Sequence, residues 1–168
     1  MGRDIIMKRI LAVLLAVMLL MAVVPATSLA AEAANSSTYK VYRVSTYGSN
    51  LMLRSGPGTG YRVIASLCNG KPLKYLYRTG NWYKVRTFNG LCGYVYKSYV
   101  RCGAYADVCT RTSGLNYRTG PGTGYAIKGS WARGTCNLYV TKVCGNWAYV
   151  SKHGKSGWSS LSYLDWAY

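Results

Sequence analysis

The octapeptide Arg-Ser-Gly-Pro-Gly-Thr-Gly-Tyr occupies residues 54–61 and returns 64 residues later at 118–125, with Ser55 exchanged for Thr119. A repeat at one fixed offset constrains the fold more than any other feature of the chain, because each copy must then build the same small unit. The match runs well past the octapeptide: Leu51 pairs with Leu115, Gly70 with Gly134 and Tyr75 with Tyr139. A one-residue insertion brings Gly80-Asn81-Trp82 onto Gly145-Asn146-Trp147, and a one-residue deletion brings residues 93–100 onto 157–164. Two copies of one module therefore fill most of the chain, with residues 101–106 as a joint too short to act as a free tether.

Each copy reads as β structure. Short runs rich in Val, Tyr and Leu lie between Gly, Pro and Asn clusters, and no run of helical period competes with them. The chain has 17 tyrosines against one phenylalanine, which suits half-buried strands whose rings pack while their hydroxyls meet water. In the first copy strands are expected at 40–45, 51–54, 63–67, 73–77, 82–86 and 93–96. Asn89-Gly90 marks a hairpin turn, and His153-Gly154 takes its place in the second copy. The fold class is all-β, with a small barrel or sandwich per copy.

The first thirty residues belong to something else. Lys8 and Arg9 lead into an apolar run at 10–24, shorter than a membrane span needs, and small residues at Ser28 and Ala30 suit cleavage after Ala30. This is the pattern of a cleaved secretory signal peptide at 1–30, with cleavage after Ala33 as an alternative. A short linker follows at 31–38. Removing residues 1–30 leaves a net charge of about +15 out of +17 for the whole chain. That charge concentrates anionic polymers, and their binding through it is salt-dependent.

The octapeptide is not a phosphate cradle. The one Gly-Lys-Ser, at 154–156, has Tyr149 where a P-loop needs its first glycine, and Gly58-Thr59-Gly60 lacks the third glycine of a dinucleotide fingerprint. The segment reads as a turn, in which Pro57 fixes one φ angle and the neighbouring glycines are free to adopt left-handed conformations.

Taken together, the Leu51–Tyr61 segment with its Leu-x-Leu-Arg-Ser-Gly-Pro-Gly-Thr-Gly-Tyr pattern, the Gly-Asn-Trp of 80–82 and the Gly-Tyr-Val-Tyr-Lys-Ser-Tyr-Val of 93–100 resemble the bacterial SH3-like domain family. The resemblance covers nearly all of 39–101 and 104–165, and the expected domains are 39–101 and 104–168. It implies two small SH3-like barrels in tandem that target a secreted protein to cell-wall peptidoglycan. It also implies a ligand groove lined by the tryptophan of the Asn-Trp pair (Trp82, Trp147), the aromatic after the later glycine (Tyr94, Trp158) and the tyrosine of Ser-Tyr (Tyr99, Tyr163). Tyr61 and Tyr125, which close the octapeptide, are counted with them. Strand alternation agrees for the tryptophans: Tyr83 and Val85 take the core in the first copy and Ala148 and Val150 in the second, which turns Trp82 and Trp147 outward. Ser159 stands where the first copy has Val95, so the last strand of the second copy is less apolar.

Catalysis has little to draw on. Beyond the leader the acids are Glu32, Asp107 and Asp165, and the single histidine, His153, falls in a turn, so neither a paired-carboxylate nor a Cys-His site is expected. No metal or cofactor is expected. The six cysteines (Cys68, Cys92, Cys102, Cys109, Cys136, Cys144) contain no Cys-x-x-Cys and do not align between the copies, so in a secreted chain they are disulfide candidates of open connectivity. The function expected is a secreted, wall-associated, non-catalytic protein that binds peptidoglycan or its stem peptides, with teichoic acid or other anionic polymers as further partners and no specific nucleic acid. Two alternatives stand beside it: a disulfide-stabilised cationic effector of anionic polymers or membranes, and a regulatory partner of a wall hydrolase.

Overall fold

The first copy folds as a run of short antiparallel strands. β1 (Thr38–Val44) is followed by the hairpin of β2 (Leu51–Arg54) and β3 (Val63–Leu67), then by the meander β4 (Pro72–Thr79), β5 (Trp82–Thr87) and β6 (Cys92–Tyr96). A 3-10 turn at Lys97–Tyr99 leads into β7 (Val100–Cys102). The second copy repeats the series as β8 (Ala104–Val108), β9 (Gly114–Arg118), β10 (Ile127–Ala132), β11 (Leu138–Cys144), β12 (Trp147–Lys152), β13 (Lys155–Ser160), a 3-10 turn at Leu161–Tyr163 and β14 (Leu164–Ala167). These observations come from a computed structural model, which describes residues 37–109 and 113–168. The expected leader at 1–30 lies outside the described residues. So does the linker at 31–38, except for its last two residues.

The strands expected at 51–54 and 63–67 form with those bounds, and the others differ by a few residues at their ends. The hairpin turns also form, though differently. The β12–β13 connection is a two-residue loop with His153 at φ 47° and Gly154 at φ 76°. At Asn89-Gly90 only the glycine is left-handed, at φ 95°, because Gly90 donates back to the Thr87 carbonyl in a longer loop.

The two halves have the same internal order, β3-β2-β6-β5-β4-β1-β7 and β10-β9-β13-β12-β11-β8-β14. They are not separate closed barrels. β11 pairs with β8 through Leu138–Val140, shifts register at a bulge, and then pairs with β1 through Lys142, Val143 and Cys144 opposite Lys40, Tyr39 and Thr38. All fourteen strands therefore belong to one sheet, which does not close, and the described residues lie within one compact unit.

β1 is shared by two cores. Val44 packs with Leu53, Leu73, Val85 and Val95 in the first half, while Val41, three residues away and on the opposite face, packs with Leu138, Val140, Val143 and Val150 in the second. Both valines are essentially without solvent exposure, at 1% and 0%. The exterior of the first half near β1 is thus core for the second. Phe88, in the β5–β6 turn, packs against Trp166 of β14 with ring centroids 4.7 Å apart.

The joint is rigid. Gly103, between β7 and β8, donates its N–H to the Val41 carbonyl at 2.7 Å and has φ of +76°. A Cβ there would stand 2.2 Å from the Tyr139 ring, whose hydroxyl donates to the Cys102 carbonyl at 2.7 Å. No side chain but hydrogen fits this crossing.

Candidate functional site

Two grooves open at equivalent places in the two halves. The first, about 730 Å³, lies between the start of β2, the octapeptide turn and the outward end of β5–β6, with Trp82, Tyr96 and Tyr99 on one wall and Arg54, Gly58 and Thr59 on another. The second, about 290 Å³, is lined by Leu115, Arg118, Thr123, Trp147, Ser160 and Tyr163. Leu51, Arg54, Thr59, Trp82 and Tyr99 of the first groove are the repeat partners of Leu115, Arg118, Thr123, Trp147 and Tyr163 in the second. The duplication therefore copied a concave surface along with a scaffold.

The β-strand period explains the tryptophans. Val85 and Val150 are fully buried and Tyr83 packs on the first core, so Trp82 and Trp147, one position off that face, stand outward and half-buried. Trp82 is register partner of Tyr96, edge-on at 5.5 Å, and Tyr96 in turn meets Tyr99 at 6.0 Å. Three rings thus line the first groove. In the second, Ser160 stands opposite Trp147, which leaves two rings.

Of the eight expected ligand residues, the grooves bring together Trp82 with Tyr99 and Trp147 with Tyr163. Tyr94 and Trp158 lie two positions along their strands from Tyr96 and Ser160, outside the groove linings. The Tyr94 hydroxyl is 3.1 Å from that of Tyr77, and this hydrogen bond holds it above the usual tyrosine pKa, with desolvation adding to the effect. Lys84 covers the Tyr94 ring at 4.3 Å. Trp158 meets Tyr149 edge-on at 5.5 Å.

Tyr61 and Tyr125 lie outside the groove linings. Each ring lies over its own octapeptide: a Cβ on Gly56 would come within 2.3 Å of Tyr61, and one on Gly120 within 2.4 Å of Tyr125. The left-handed glycines expected in this turn are a misreading, since none of Gly56, Gly58, Gly60, Gly120, Gly122 or Gly124 has positive φ. The glycines are there for the close approach of the ring. Gly58 donates to the Gly56 carbonyl at 3.0 Å across Pro57, and Arg54 Nη1 donates to the carbonyls of Thr59 and Tyr61 at 2.7 and 2.8 Å. Arg118 makes the same pair of bonds to Thr123 and Tyr125 at 2.9 and 2.8 Å. The octapeptide is a turn whose own arginine shapes it into a groove wall. Accordingly Gly56→Ala should lose about 1 kcal/mol or more of stability through overpacking, while Gly60→Ala, which opens on empty space, should stay within about 0.5 kcal/mol of wild type. Chemical denaturation of the two variants checks both values.

Sequence reasoning missed Tyr96, Arg54 and the polar rim of Thr46, Ser49 and Asn50. The repeated arginine was the available signal for part of this. Ser159 is fully buried, and its hydroxyl donates to the Asn116 carbonyl at 3.1 Å, so the polar substitution in the last strand is satisfied internally.

Among the described residues, no carboxylate lines either groove. Among the described residues, Asp107 and Asp165 face each other across β8 and β14, and His153 sits in its turn outside both linings. Cys68, Cys102 and Cys136 are exposed, Cys92 is half-buried beside Arg86, and Cys109 and Cys144 are buried. The linings offer flat aromatic faces, hydroxyls and a guanidinium, which is equipment for holding a ligand.

Residues 49–101 match the model of the bacterial SH3 domain family. A Bacillus subtilis protein, YrvJ, named for an N-acetylmuramoyl-L-alanine amidase, is 29% identical over 121 residues, a match covering 67% of this chain and 23% of that protein. The chain thus spans about a quarter of its relative's length. Among solved structures, NlpC2 and NlpC1 from Trichomonas vaginalis align over 77% of the chain at 16% and 15% identity, covering 48% and 46% of those chains, with TM-scores of 0.46 and 0.44.

Proposed function

We propose that the protein is a secreted, non-catalytic cell-wall binder whose two grooves each hold a short unit of peptidoglycan, glycan or stem peptide. The observation that carries this reading is the recurrence of one groove from repeated residues, in a chain with a bacterial SH3 domain and a relative named for a wall amidase. A sugar or peptide backbone lies flat on tryptophan and tyrosine faces and hydrogen-bonds to the neighbouring hydroxyls and guanidinium. Two grooves on one continuous sheet suit a polymer of repeating units, because the second contact becomes intramolecular. Residues 39–101 and 104–168 then act as paired binding modules, and secretion would place the six cysteines where disulfides form.

The rival with an observation behind it is binding by charge alone, given the net charge of +17. Co-sedimentation with peptidoglycan sacculi stripped of their phosphate polymers separates the two. Groove binding should survive a rise from low salt to well above physiological, because its contacts are apolar and hydrogen-bonded. Charge-driven binding should fall by roughly a hundredfold or more. Loss of all sedimentation at high salt would reject the groove reading.

A further inference from the structure

Like charges directly opposite one another destabilise a sheet. Four cationic pairs do so here: Lys40–Lys142, Arg43–Arg101, Lys74–Arg86 and Lys152–Lys155. In three of them at least one head group is engaged within the protein. Arg43 and Arg101 donate to carbonyls of Gly103 and Ser98, Arg86 donates to Cys92 Sγ at 3.0 Å with Lys74 over the Phe88 ring, and Lys152 donates to the Cys136 carbonyl. Lys40 and Lys142 differ. Both are exposed, and among the described residues neither ammonium has a protein hydrogen-bond acceptor or a carboxylate partner; Lys142 only lies 5.7 Å from the Tyr149 ring centre.

The pair stands where the halves join, in the middle of a row of register partners: Trp158 on β13, Tyr149 on β12, Lys142 on β11, Lys40 on β1 and Tyr75 on β4. Adjacent strands are about 4.8 Å apart, so the row crosses about 19 Å of continuous sheet. None of its residues lines either groove. We infer that this row docks a phosphodiester-linked polyol chain, with a phosphate seated between Lys40 and Lys142 and the polyol units lying along the half-buried rims of the flanking rings. The anion removes the repulsion that the bare sheet carries. Nucleic acid fits less well, because bases need open ring faces: Lys142 covers Tyr149, Trp158 meets it edge-on, and Tyr75 is stacked on Tyr42 at 5.1 Å.

The test compares K40Q/K142Q with a charge-matched control, R62Q/K155Q, whose residues are exposed and outside the row and the grooves. The probe is soluble poly(glycerol phosphate), with single-stranded DNA of equal charge in parallel. The first variant should lose about tenfold or more in affinity for the polymer, and its slope of log K against log salt should shrink by about two, while the control loses about threefold or less. Its melting temperature without polymer should equal or exceed that of wild type, since a repulsion is gone. Equal losses in the two variants, or tighter lysine-dependent binding of the DNA, would overturn the assignment. Sedimentation of both variants with phosphate-free sacculi should match wild type, so the fate of the grooves is read separately.

Discussion

Val41→Asp is expected to lower the unfolding free energy by about 4 kcal/mol or more, and to do so through the half of the sheet that follows it in sequence. Val41 belongs by repeat order to the first copy, yet its side chain is buried among Leu138, Val140, Val143 and Val150. A carboxylate there has no partner and no water, which puts it among the most costly single changes. Val41→Ala, which only removes methyl groups, should cost about 2 kcal/mol. Amide hydrogen exchange gives the discriminating readout. Both variants should lower protection in β11 and β12 of the second half together with β1 and β4, because β1 bonds to both β4 and β11. If β11 and β12 kept wild-type protection in a destabilised Val41→Asp, the halves would be independent and the shared strand incidental.

The second large effect concerns the grooves. Trp82 and Trp147 face outward from strands whose opposite faces carry the fully buried Val85 and Val150, so Trp82→Ala and Trp147→Ala should leave the fold in place. Against a soluble single-unit muropeptide, each change should delete one site and leave the other titrating normally. Against sacculi, either should forfeit most of the avidity, a loss of roughly a hundredfold, because the gain from a second linked contact disappears. The two losses need not be equal: the first groove has three rings and about 730 Å³ against two rings and about 290 Å³, so Trp82→Ala should be the more damaging. Isothermal titration with the muropeptide and sedimentation with sacculi measure the two quantities.

What the residues disclosed in advance was whatever depends on local period. Val85 and Val150 announced the core face, and Trp82 and Trp147 the outward one, because side chains alternate along a strand irrespective of its partners. The bounds of β2 and β3 followed from short apolar runs between glycine-rich turns. Pairing partners were another matter. Nothing in the spacing of Tyr39 and Val41 says that they lie beside Val143, since strand pairing across half the chain is set by how two cores share surface. The same limit hid Tyr96, which lines the groove only because it falls opposite Trp82. It also hid that the Tyr61 and Tyr125 rings turn back onto their own glycines, which the pattern offered as left-handed turn residues. The identical arginines at 54 and 118 were visible throughout, but their bonds to the turn carbonyls were not.

The proposed function requires that two copies of one groove, rather than net charge, hold the protein to peptidoglycan. The most direct measurement is high-salt sedimentation of W82A/W147A, verified as folded by its melting transition, with phosphate-free sacculi. The double variant should stay in the supernatant while wild type sediments, and a folded double variant that sediments like wild type would reject groove binding.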